Sequence, residues 1–225
     1  MIFTIVFYVS NIVMCIGIFW LPLVPHRAAV KSLQLFFRFF GVLERNILGL
    51  HYVVEGRENL PPGCCIIAIK HQSVWETYKV HVMFDNPVTV MKAELKYVPL
   101  WGWYAQKVRS IFVERGKSRA VKSLVEGGLR AKKDGQAIVI FPQGTRVPYG
   151  ETRPYKRGAI ELYTALNVPL VPVALNSGKF WPRHQFIKKP GTITVQILPP
   201  IMPGLTGEEA FKKLQDAIET ASSKL

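Results

Sequence analysis

The stretch "CCIIAIKHQSVWETYKVHVMF", residues 64–84, contains a sharp change of pattern. Residues 64–69 form a short apolar run that predicts a buried strand, and residues 74–84 predict a helix. His71 lies at the junction, five positions before Glu76. The stretch therefore predicts an α/β unit that carries a histidine and a carboxylate where the strand passes into the helix.

Two interpretations of Glu76 are open from this stretch alone. Ser73, three positions earlier, fits a capping box in which the serine caps the helix and the glutamate reaches back to the backbone. Glu76 is equally placed to accept a hydrogen bond from a ring nitrogen of His71, which would prepare the histidine to act as a general base. The two roles are compatible with each other, and a covalent route through Ser73 also fits the spacing.

Outward from this stretch, strands and helices alternate. Predicted strands cover residues 52–55, 64–69, 88–91, 111–113, 137–141, 170–174 and 192–197, and predicted helices cover residues 74–84, 118–132, 157–166 and 207–222. This order indicates an α/β fold, with a largely parallel or mixed sheet of about seven strands flanked by helices. The chain of 225 residues is long enough for one well-buried domain of this kind, predicted over residues 51–225.

Residues 1–50 predict a membrane-anchoring helical segment. Residues 1–25 contain no Asp, Glu, Lys, Arg or His, and a run of about 20 apolar residues can cross or deeply enter a bilayer. A cleaved signal peptide is disfavoured because no Lys or Arg precedes the run and no small-x-small site closes it. The positive charge that follows favours the cytoplasmic face of a membrane, the inner membrane if the source is bacterial.

The second part of this segment predicts a helix in the membrane interface. Its basic residues recur every seven positions on one face, and its large apolar residues fall on the other. The basic residues are Lys31, Arg38 and Arg45, and the apolar ones are Leu33, Phe36, Phe37, Phe40 and Leu43. The alternative is a helix that covers a protein core with the same apolar face.

Charge and cysteine content exclude several classes of function. Residues 92–157 hold 15 Lys/Arg against 5 Asp/Glu and so contribute +10 of the formal net charge of +14. Such a block suits anionic lipid, a phosphorylated substrate or nucleic acid. Nucleic acid is disfavoured because the sequence has no helix-turn-helix, zinc-finger or RNP-like signature. Cys64 and Cys65 are adjacent in a strand and point to opposite faces, so with no CxxC motif we expect neither zinc nor a disulfide framework.

Two further stretches place arginines at strand ends. "IFPQGTR", residues 140–146, follows a predicted strand and turns at Gly144, and "IFVERGK", residues 111–117, ends another strand at Arg115. Open α/β sheets bind ligands at the carboxyl ends of their strands. Arg115 and Arg146 are therefore expected at the same edge of the sheet as His71.

Taken in order, these motifs resemble those of the glycerolipid acyltransferases, the family that includes 1-acylglycerol-3-phosphate acyltransferase. "KHQSVWE" is similar to the family's His-x4-Asp motif, "IFVERG" to its second motif, "IFPQGTR" to its third and "VPLVPVALNSG", residues 168–178, to its fourth. The resemblance covers about residues 52–198 and includes the apolar leader. Two residues depart from it: Glu76 stands where Asp is usual, and Gln143 where Glu is usual.

The resemblance implies roles for individual residues. His71 and Glu76 would be catalytic, and Lys92, Arg115 and Arg146 would bind the substrate phosphate. Gln143, Gly144, Thr145 and Pro172 would support the motifs. Gln143 leaves open whether its site needs an anion or only a hydrogen-bonding side chain.

The resemblance also implies a reaction. An acyl group would pass from acyl-CoA or acyl carrier protein to the hydroxyl of lysophosphatidic acid, without metal or redox cofactor, and give phosphatidic acid. Alternatives are a different acceptor, such as glycerol 3-phosphate or another lysophospholipid, and a membrane-anchored lipid-binding protein with weak catalysis.

Overall fold

The computed structural model, which describes residues 2–17, 23–114 and 117–225, has a sheet of seven strands. In chain order the strands are β1 (Leu50–Glu55), β2 (Ile66–Ile69), β3 (Val88–Lys92), β4 (Ile111–Val113), β5 (Ile138–Ile140), β6 (Leu170–Leu175) and β7 (Gly191–Ile197). Their order across the sheet is β1-β7-β6-β2-β5-β3-β4. Each strand predicted from the sequence is present, with borders shifted by up to two residues.

The sheet is mixed, as predicted. β2 to β6 run parallel to one another, whereas β7 is antiparallel to β6 and parallel to β1. The five parallel strands therefore bring their carboxyl ends to one edge. The motif that follows β2 and the motif that follows β5 lie side by side at this edge, because β2 and β5 are neighbours in the sheet.

Helices cover both faces of the sheet. The described helices are α1 (Ile2–Gly17), α2 (His26–Leu43), α3 (Trp75–Met83), α4 (Trp101–Lys107), α5 (Lys117–Lys133), α6 (Gly158–Leu166), α7 (Ser177–Phe180) and α8 (Gly207–Ser222). One core cluster joins the sheet to α5, α6 and α8, and a second joins it to α1 and α3. Cys64 packs against the first cluster and Cys65 belongs to the second, which confirms that the two side chains point to opposite faces.

The apolar face of α2 packs on protein. Leu33 and Phe40 are almost fully buried, and Phe37 lies against the rings of Tyr78 and His81 on α3. The prediction that this face meets lipid is therefore wrong for Leu33 and Phe40. Leu33 packs with Tyr104 and Val108 in a segment further along the chain, and Phe40 packs on Phe7 of α1 and Tyr78 of α3, partners that the local sequence does not reveal. The predicted basic face is exposed, with Lys31, Arg38 and Arg45 all outward.

Other apolar residues of α1 and α2 remain exposed. On α1 these are Ile2, Ile5, Val9, Ile12, Val13 and Ile16, and on α2 they are Leu35, Phe39 and Val42. Phe3 and Phe7, on the opposite side of α1, pack on Trp181. Within the part of the chain that the structure describes, no helix combines the length and apolar character needed to span a bilayer.

The aromatic residues 101–104 begin α4, a helix that was not predicted from the sequence, and Tyr97 ends a short 3-10 turn before it. Tyr104 is buried in a small cluster with Ala29 and Leu33 of α2, whereas Tyr97 and Trp103 are exposed. Tyr104 thus joins α4 to α2.

Candidate active site

The predicted motifs converge at the carboxyl edge of the parallel strands. His71 follows β2, Gln143 follows β5, Ser177 follows β6 and Lys92 ends β3. Because β6, β2, β5 and β3 are consecutive in the sheet, residues far apart in the chain meet here.

His71 and Glu76 form a hydrogen-bonded pair. The Nδ1 atom of His71 lies 3.0 Å from the Oε1 atom of Glu76. An ionised carboxylate only accepts hydrogen bonds, so Nδ1 carries the proton and the lone pair of Nε2 is left for a substrate. The imidazole is 14% exposed, whereas the carboxylate is fully buried. Among residues 2–17, 23–114 and 117–225, the structure shows no partner for Nε2.

Glu76 also organises the start of α3. Its Oε1 atom accepts hydrogen bonds of 2.6 Å from the backbone N–H groups of Gln72 and Ser73. The glutamate half of the predicted capping box is therefore present. The serine half differs, since the Oγ atom of Ser73 accepts from the N–H of Trp75 at 3.2 Å and Ser73 is buried. Glu76 therefore accepts hydrogen bonds both from the backbone at the start of α3 and from the imidazole of His71, so the two predicted roles are compatible.

Ser177 holds the other carboxylate oxygen. Its hydroxyl donates to the Oε2 atom of Glu76 at 2.7 Å, across 101 positions of sequence. Nearby, the side-chain oxygen of Gln72 accepts from the N–H of Gly178 at 2.9 Å. The junction after β2 is thus fastened to the start of α7. Ser177 lies in the fourth motif, but nothing in the local sequence marks it as a partner of Glu76, so this contact was not predicted.

Phe141 and Gln143 hold His71 from the side of β5. The imidazole stacks on the ring of Phe141, with 4.2 Å between the ring centroids. The Oε1 atom of Gln143 accepts from the backbone N–H of His71 at 3.2 Å. Gln143 is buried, and within the described residues its Nε2 atom has no partner. Either an amide or a carboxylate oxygen can accept this hydrogen bond, so the Glu-to-Gln departure preserves it.

The turn after β5 places Arg146 beside the histidine. Gly144 has a φ of +63°, a left-handed conformation that favours glycine, and a Cβ atom there would meet the side chain of Lys156 at 3.0 Å. Directly after Arg146, the N–H of Val147 donates a hydrogen bond of 2.7 Å to the carbonyl of His71, so the turn is bound to the backbone of the histidine. Thr145 is half-buried within this turn.

Pro172 lies within β6, before the carboxyl edge of the sheet. It is buried on β6, opposite Ala68 of β2, and its carbonyl accepts from the N–H of Leu198 at 3.0 Å. One position further along the ladder, the N–H of Lys70 donates to the carbonyl of Val173 at 3.0 Å. Pro172 therefore lies in the sheet beneath the site and does not line it.

The three predicted phosphate ligands differ in setting. Arg146 is half-buried. Its burial lowers the pKa of its guanidinium, and the positive charge of Arg183 lowers this pKa further, whereas the negative charge of Glu76 raises it. Lys92 is exposed at the carboxyl end of β3, two strands from β2 and so about 10 Å across the sheet. Arg115 lies outside the described residues.

Lys70 ties the C-terminal helix to this edge. Its Nζ atom lies 2.6 Å from the Oε2 atom of Glu219 on α8, and the hydroxyl of Tyr155 donates to the other oxygen at 2.7 Å. Lys70 directly precedes His71, so α8 helps to hold the backbone of the histidine.

Comparison with known proteins gives consistent results. The family described as Acyltransferase matches residues 51–176. The 1-acyl-sn-glycerol-3-phosphate acyltransferase of Pseudomonas aeruginosa is 36% identical over 206 residues, which are 91% of this chain and 80% of that protein. The protein of that name from Saccharomyces cerevisiae is 34% identical over 73% of this chain, and the match spans only 56% of the yeast protein.

A solved structure has the same fold. The crystal structure of the 1-acyl-sn-glycerophosphate (LPA) acyltransferase from Thermotoga maritima superposes with a TM-score of 0.80 and covers 99% of this chain and 94% of that one. The two sequences are 23% identical, so this likeness establishes the architecture. Since the family match takes in residues 51–176, and the Pseudomonas relative aligns along most of both chains, this protein belongs to the acyltransferase family.

Proposed function

We propose that this protein transfers an acyl group from an acyl thioester to the sn-2 hydroxyl of 1-acylglycerol 3-phosphate and so produces phosphatidic acid. The observation that carries the proposal is the hydrogen bond between Nδ1 of His71 and the buried carboxylate of Glu76. It leaves Nε2 as a base at the edge where the motifs converge. The names of the Pseudomonas and yeast relatives supply the reaction and the acceptor.

The proposed step is a direct attack by the acceptor. An alcohol is a poor nucleophile at neutral pH, so Nε2 of His71 takes the hydroxyl proton while the oxygen attacks the thioester carbonyl. Glu76 keeps the proton on Nδ1 and stabilises the imidazolium that forms. When the tetrahedral intermediate collapses, the carbon–sulfur bond breaks and the thiolate leaves as a thiol with the proton from His71. The route needs no acyl-enzyme, in keeping with the burial of Ser73.

The oxyanion of that intermediate needs donors that are still free. The N–H of Ser73 is bonded to Glu76, and the N–H of Gly144 to the carbonyl of Phe141 at 2.9 Å. For the N–H groups of Val74 and Thr145, the structure gives no partner within residues 2–17, 23–114 and 117–225. We assign the oxyanion to one or both of these groups.

The acceptor phosphate would bind to cations at the same edge. Arg146 is the main ligand in this proposal because it is half-buried beside His71 and its planar fork suits a phosphate. Lys92 and Arg115 would approach from β3 and from the end of β4. Support for Lys92 is its place at the carboxyl end of β3, and support for Arg115 is its motif alone.

The donor is an acyl thioester, of which two kinds fit. Acyl-CoA carries phosphates and acyl carrier protein is acidic, and a formal net charge of +14 attracts both. The purified protein should consume one of these thioesters only when lysophosphatidic acid is present, with phosphatidic acid as the product detected by mass spectrometry. Acylation of glycerol 3-phosphate but not of lysophosphatidic acid would assign a different acceptor. A folded protein that consumes neither donor would be a lipid-binding protein.

We also propose that residues 1–50 hold the catalytic part, residues 51–225, on the cytoplasmic face of a membrane. The exposed side of α2 and of the π-helical turn that follows it, Glu44–Leu48, supports this. Lys31, Arg38 and Arg45 alternate there with Leu35, Phe39 and Val42. A helix whose cations and apolar side chains share an outward face suits the headgroup region of anionic lipid. The apolar residues exposed on α1 extend this surface.

The proposed lipid-binding surface of α1 and α2 predicts two effects on vesicle binding that can be measured separately. Replacing Lys31, Arg38 and Arg45 together with Gln should weaken binding to phosphatidylglycerol vesicles about 100-fold at low salt, since each charge contributes about 1 kcal/mol. Binding to neutral phosphatidylcholine vesicles should change little. Replacing Leu35 and Phe39 with Gln should weaken binding to both kinds of vesicle, because their apolar area no longer enters lipid. Vesicle co-sedimentation measures each effect.

The matched control lies on α5, where Val121 and Leu129 are also exposed apolar residues. Replacing both with Gln should leave vesicle binding unchanged. If that pair matters as much as Leu35 and Phe39, membrane binding is not a property of the α1–α2 surface.

A further inference from the structure

Ser177 carries a buried hydroxyl that contacts the carboxylate next to His71. It begins α7, directly after β6, and it is fully buried. Its Oγ atom lies 2.7 Å from the Oε2 atom of Glu76. An ionised carboxylate only accepts hydrogen bonds, so the proton of this hydroxyl is committed to Glu76 and Ser177 is not placed to act as a nucleophile.

The hydrogen bonds of Glu76 are divided unequally between its two oxygens. Oε1 accepts three, from Nδ1 of His71 at 3.0 Å and from the backbone N–H groups of Gln72 and Ser73 at 2.6 Å. Oε2 accepts one, from Ser177, and within the described part of the chain it shows no other donor. The carboxylate is fully buried, so bulk water does not take the place of that donor.

This division makes the orientation of the carboxylate depend on Ser177. The terminal torsion of a glutamate side chain is broad, so the rotamer alone does not fix the plane of its carboxylate. Without the hydroxyl, Oε2 would be a buried anionic oxygen with no donor, and rotation would let it share the donors that now converge on Oε1. That rotation would move Oε1 away from Nδ1 of His71. The hydroxyl of Ser177 opposes it by holding Oε2 in place.

The backbone around Ser177 is itself held from two sides. On one side, the N–H of Gly178 donates to the side-chain oxygen of Gln72 at 2.9 Å. The approach is close, because a Cβ atom at Gly178 would lie 3.1 Å from the Cβ atom of Gln72. On the other side, Oδ1 of Asn176 accepts from the N–H of Thr194 on β7 at 2.9 Å. The hydroxyl therefore extends from a backbone that is fixed before the reaction begins.

We infer that Ser177 is a positioning residue for acyl transfer, which acts through Glu76 to hold His71 in the tautomer and orientation that attack on the thioester requires. The inference rests on the proposed function, in which Nε2 of His71 is the base. Ser177 touches neither the substrates nor the reacting atoms in this scheme. Its contribution is to keep the carboxylate aimed at Nδ1, so that the lone pair of Nε2 is available in each turnover.

Ser177→Ala should lower kcat about 10–100-fold, the range expected for the loss of one hydrogen bond to a charged group. KM for a short-chain, water-soluble lysophosphatidic acid should stay within about twofold, because no contact with the acceptor is removed. Ser177→Cys, which fills the space of the hydroxyl with only a weak donor, should also lower kcat, so the effect does not depend on the cavity that alanine leaves.

The matched control is Thr77→Val. It removes a half-buried hydroxyl that donates to the carbonyl of Val74 at the start of α3, and not to Glu76. Both kinetic constants should stay near those of the wild type.

A second background shows whether Ser177 acts through Glu76. Ser177→Ala is measured again in Glu76→Gln protein, where it should change kcat less than about threefold, because no carboxylate is left to orient. An equal fold loss in both backgrounds would overturn the inference, since Ser177 would then act only through the fold. An unchanged kcat in Ser177→Ala would also overturn it, as would a raised KM at constant kcat, which would assign Ser177 to substrate binding.

A measurement without turnover separates this inference from the proposed function. The NMR chemical shifts of the ring nitrogens report which of them carries the proton, and the signals of His71 are assigned by their loss in His71→Ala protein. At pH about 8.5, where an ordinary imidazole is neutral, the wild type should carry the proton on Nδ1 alone, and Ser177→Ala should also populate the Nε2–H tautomer. Identical tautomers in the two proteins would overturn the inference. A changed tautomer in a chain without acyl transfer would support it and remove only the proposed function.

Discussion

Replacing His71 with alanine lowers turnover by about 10²–10⁴-fold, the usual contribution of a positioned general base, while the fold persists. The fold is expected to persist because the imidazole packs mainly on one side, against Phe141, and keeps 14% of its surface exposed. Glu76 retains three other hydrogen bonds, from the N–H groups of Gln72 and Ser73 and from the hydroxyl of Ser177. The start of α3 therefore does not depend on the histidine.

The measurement is the rate of thiol release with saturating lysophosphatidic acid, alongside a thermal unfolding curve. His51→Ala is the matched control, since His51 is an exposed histidine on β1 at the far edge of the sheet. The control should keep normal activity. A folded His71→Ala protein with near-normal turnover would remove the general base from the mechanism.

Sequence patterns predicted the sheet well because its strands are short apolar runs bounded by Gly, Pro or charge. They also placed His71, Gln143 and Arg146 at one edge, because parallel strands share their carboxyl ends. The partners of those residues were not predictable. Ser177 reaches Glu76 across 101 positions, and no local period reports a contact of that range.

The α2 helix shows a second limit. A seven-residue spacing of Lys31, Arg38 and Arg45 correctly predicted a basic outward face. The pattern did not show whether the opposite face would meet lipid or protein, because both bury apolar side chains equally well.

The second large effect concerns stability and lies behind the site, where a buried ion pair joins the end of α2 to α3. The Nζ atom of Lys79 lies 2.7 Å from the Oε2 atom of Glu44, and both side chains are at most 2% exposed. The hydroxyl of Tyr78 donates to the other oxygen of Glu44. Burial, and then the charge of Glu44, raise the pKa of Tyr78, which keeps this phenol protonated as a donor.

The surroundings hold the lysine in place. Its amine lies over the rings of Tyr52, Trp75 and Tyr78, at 4.9, 5.6 and 5.7 Å from their centroids. Gly41 of α2 leaves room for the amine, since a Cβ atom there would lie 3.1 Å from Nζ. Lys79 is three residues after Glu76 on α3, so the pair anchors the helix that carries the carboxylate proposed to be catalytic.

Lys79→Met should therefore lower the free energy of unfolding by about 3–5 kcal/mol, because it leaves the carboxylate of Glu44 buried without its countercharge. The double variant Glu44→Gln with Lys79→Met should recover part of this loss, since no unpaired charge remains and the amide oxygen still accepts from Tyr78. The free energies of unfolding in urea of Lys79→Met, Glu44→Gln and the double variant, each compared with the wild type, form a double-mutant cycle that measures the interaction between the two residues.

The pair of Arg109 and Asp134 provides the control, because it has similar geometry without burial. Its atoms lie 2.6 Å apart, but the side chains are 46% and 34% exposed. Arg109→Met should cost less than about 1 kcal/mol, since water already screens both charges. If Lys79→Met destabilises the protein no more than Arg109→Met does, the Glu44–Lys79 pair is not what holds α3 to the N-terminal helices. The position of Glu76 is then set by its own hydrogen bonds to His71, Gln72, Ser73 and Ser177.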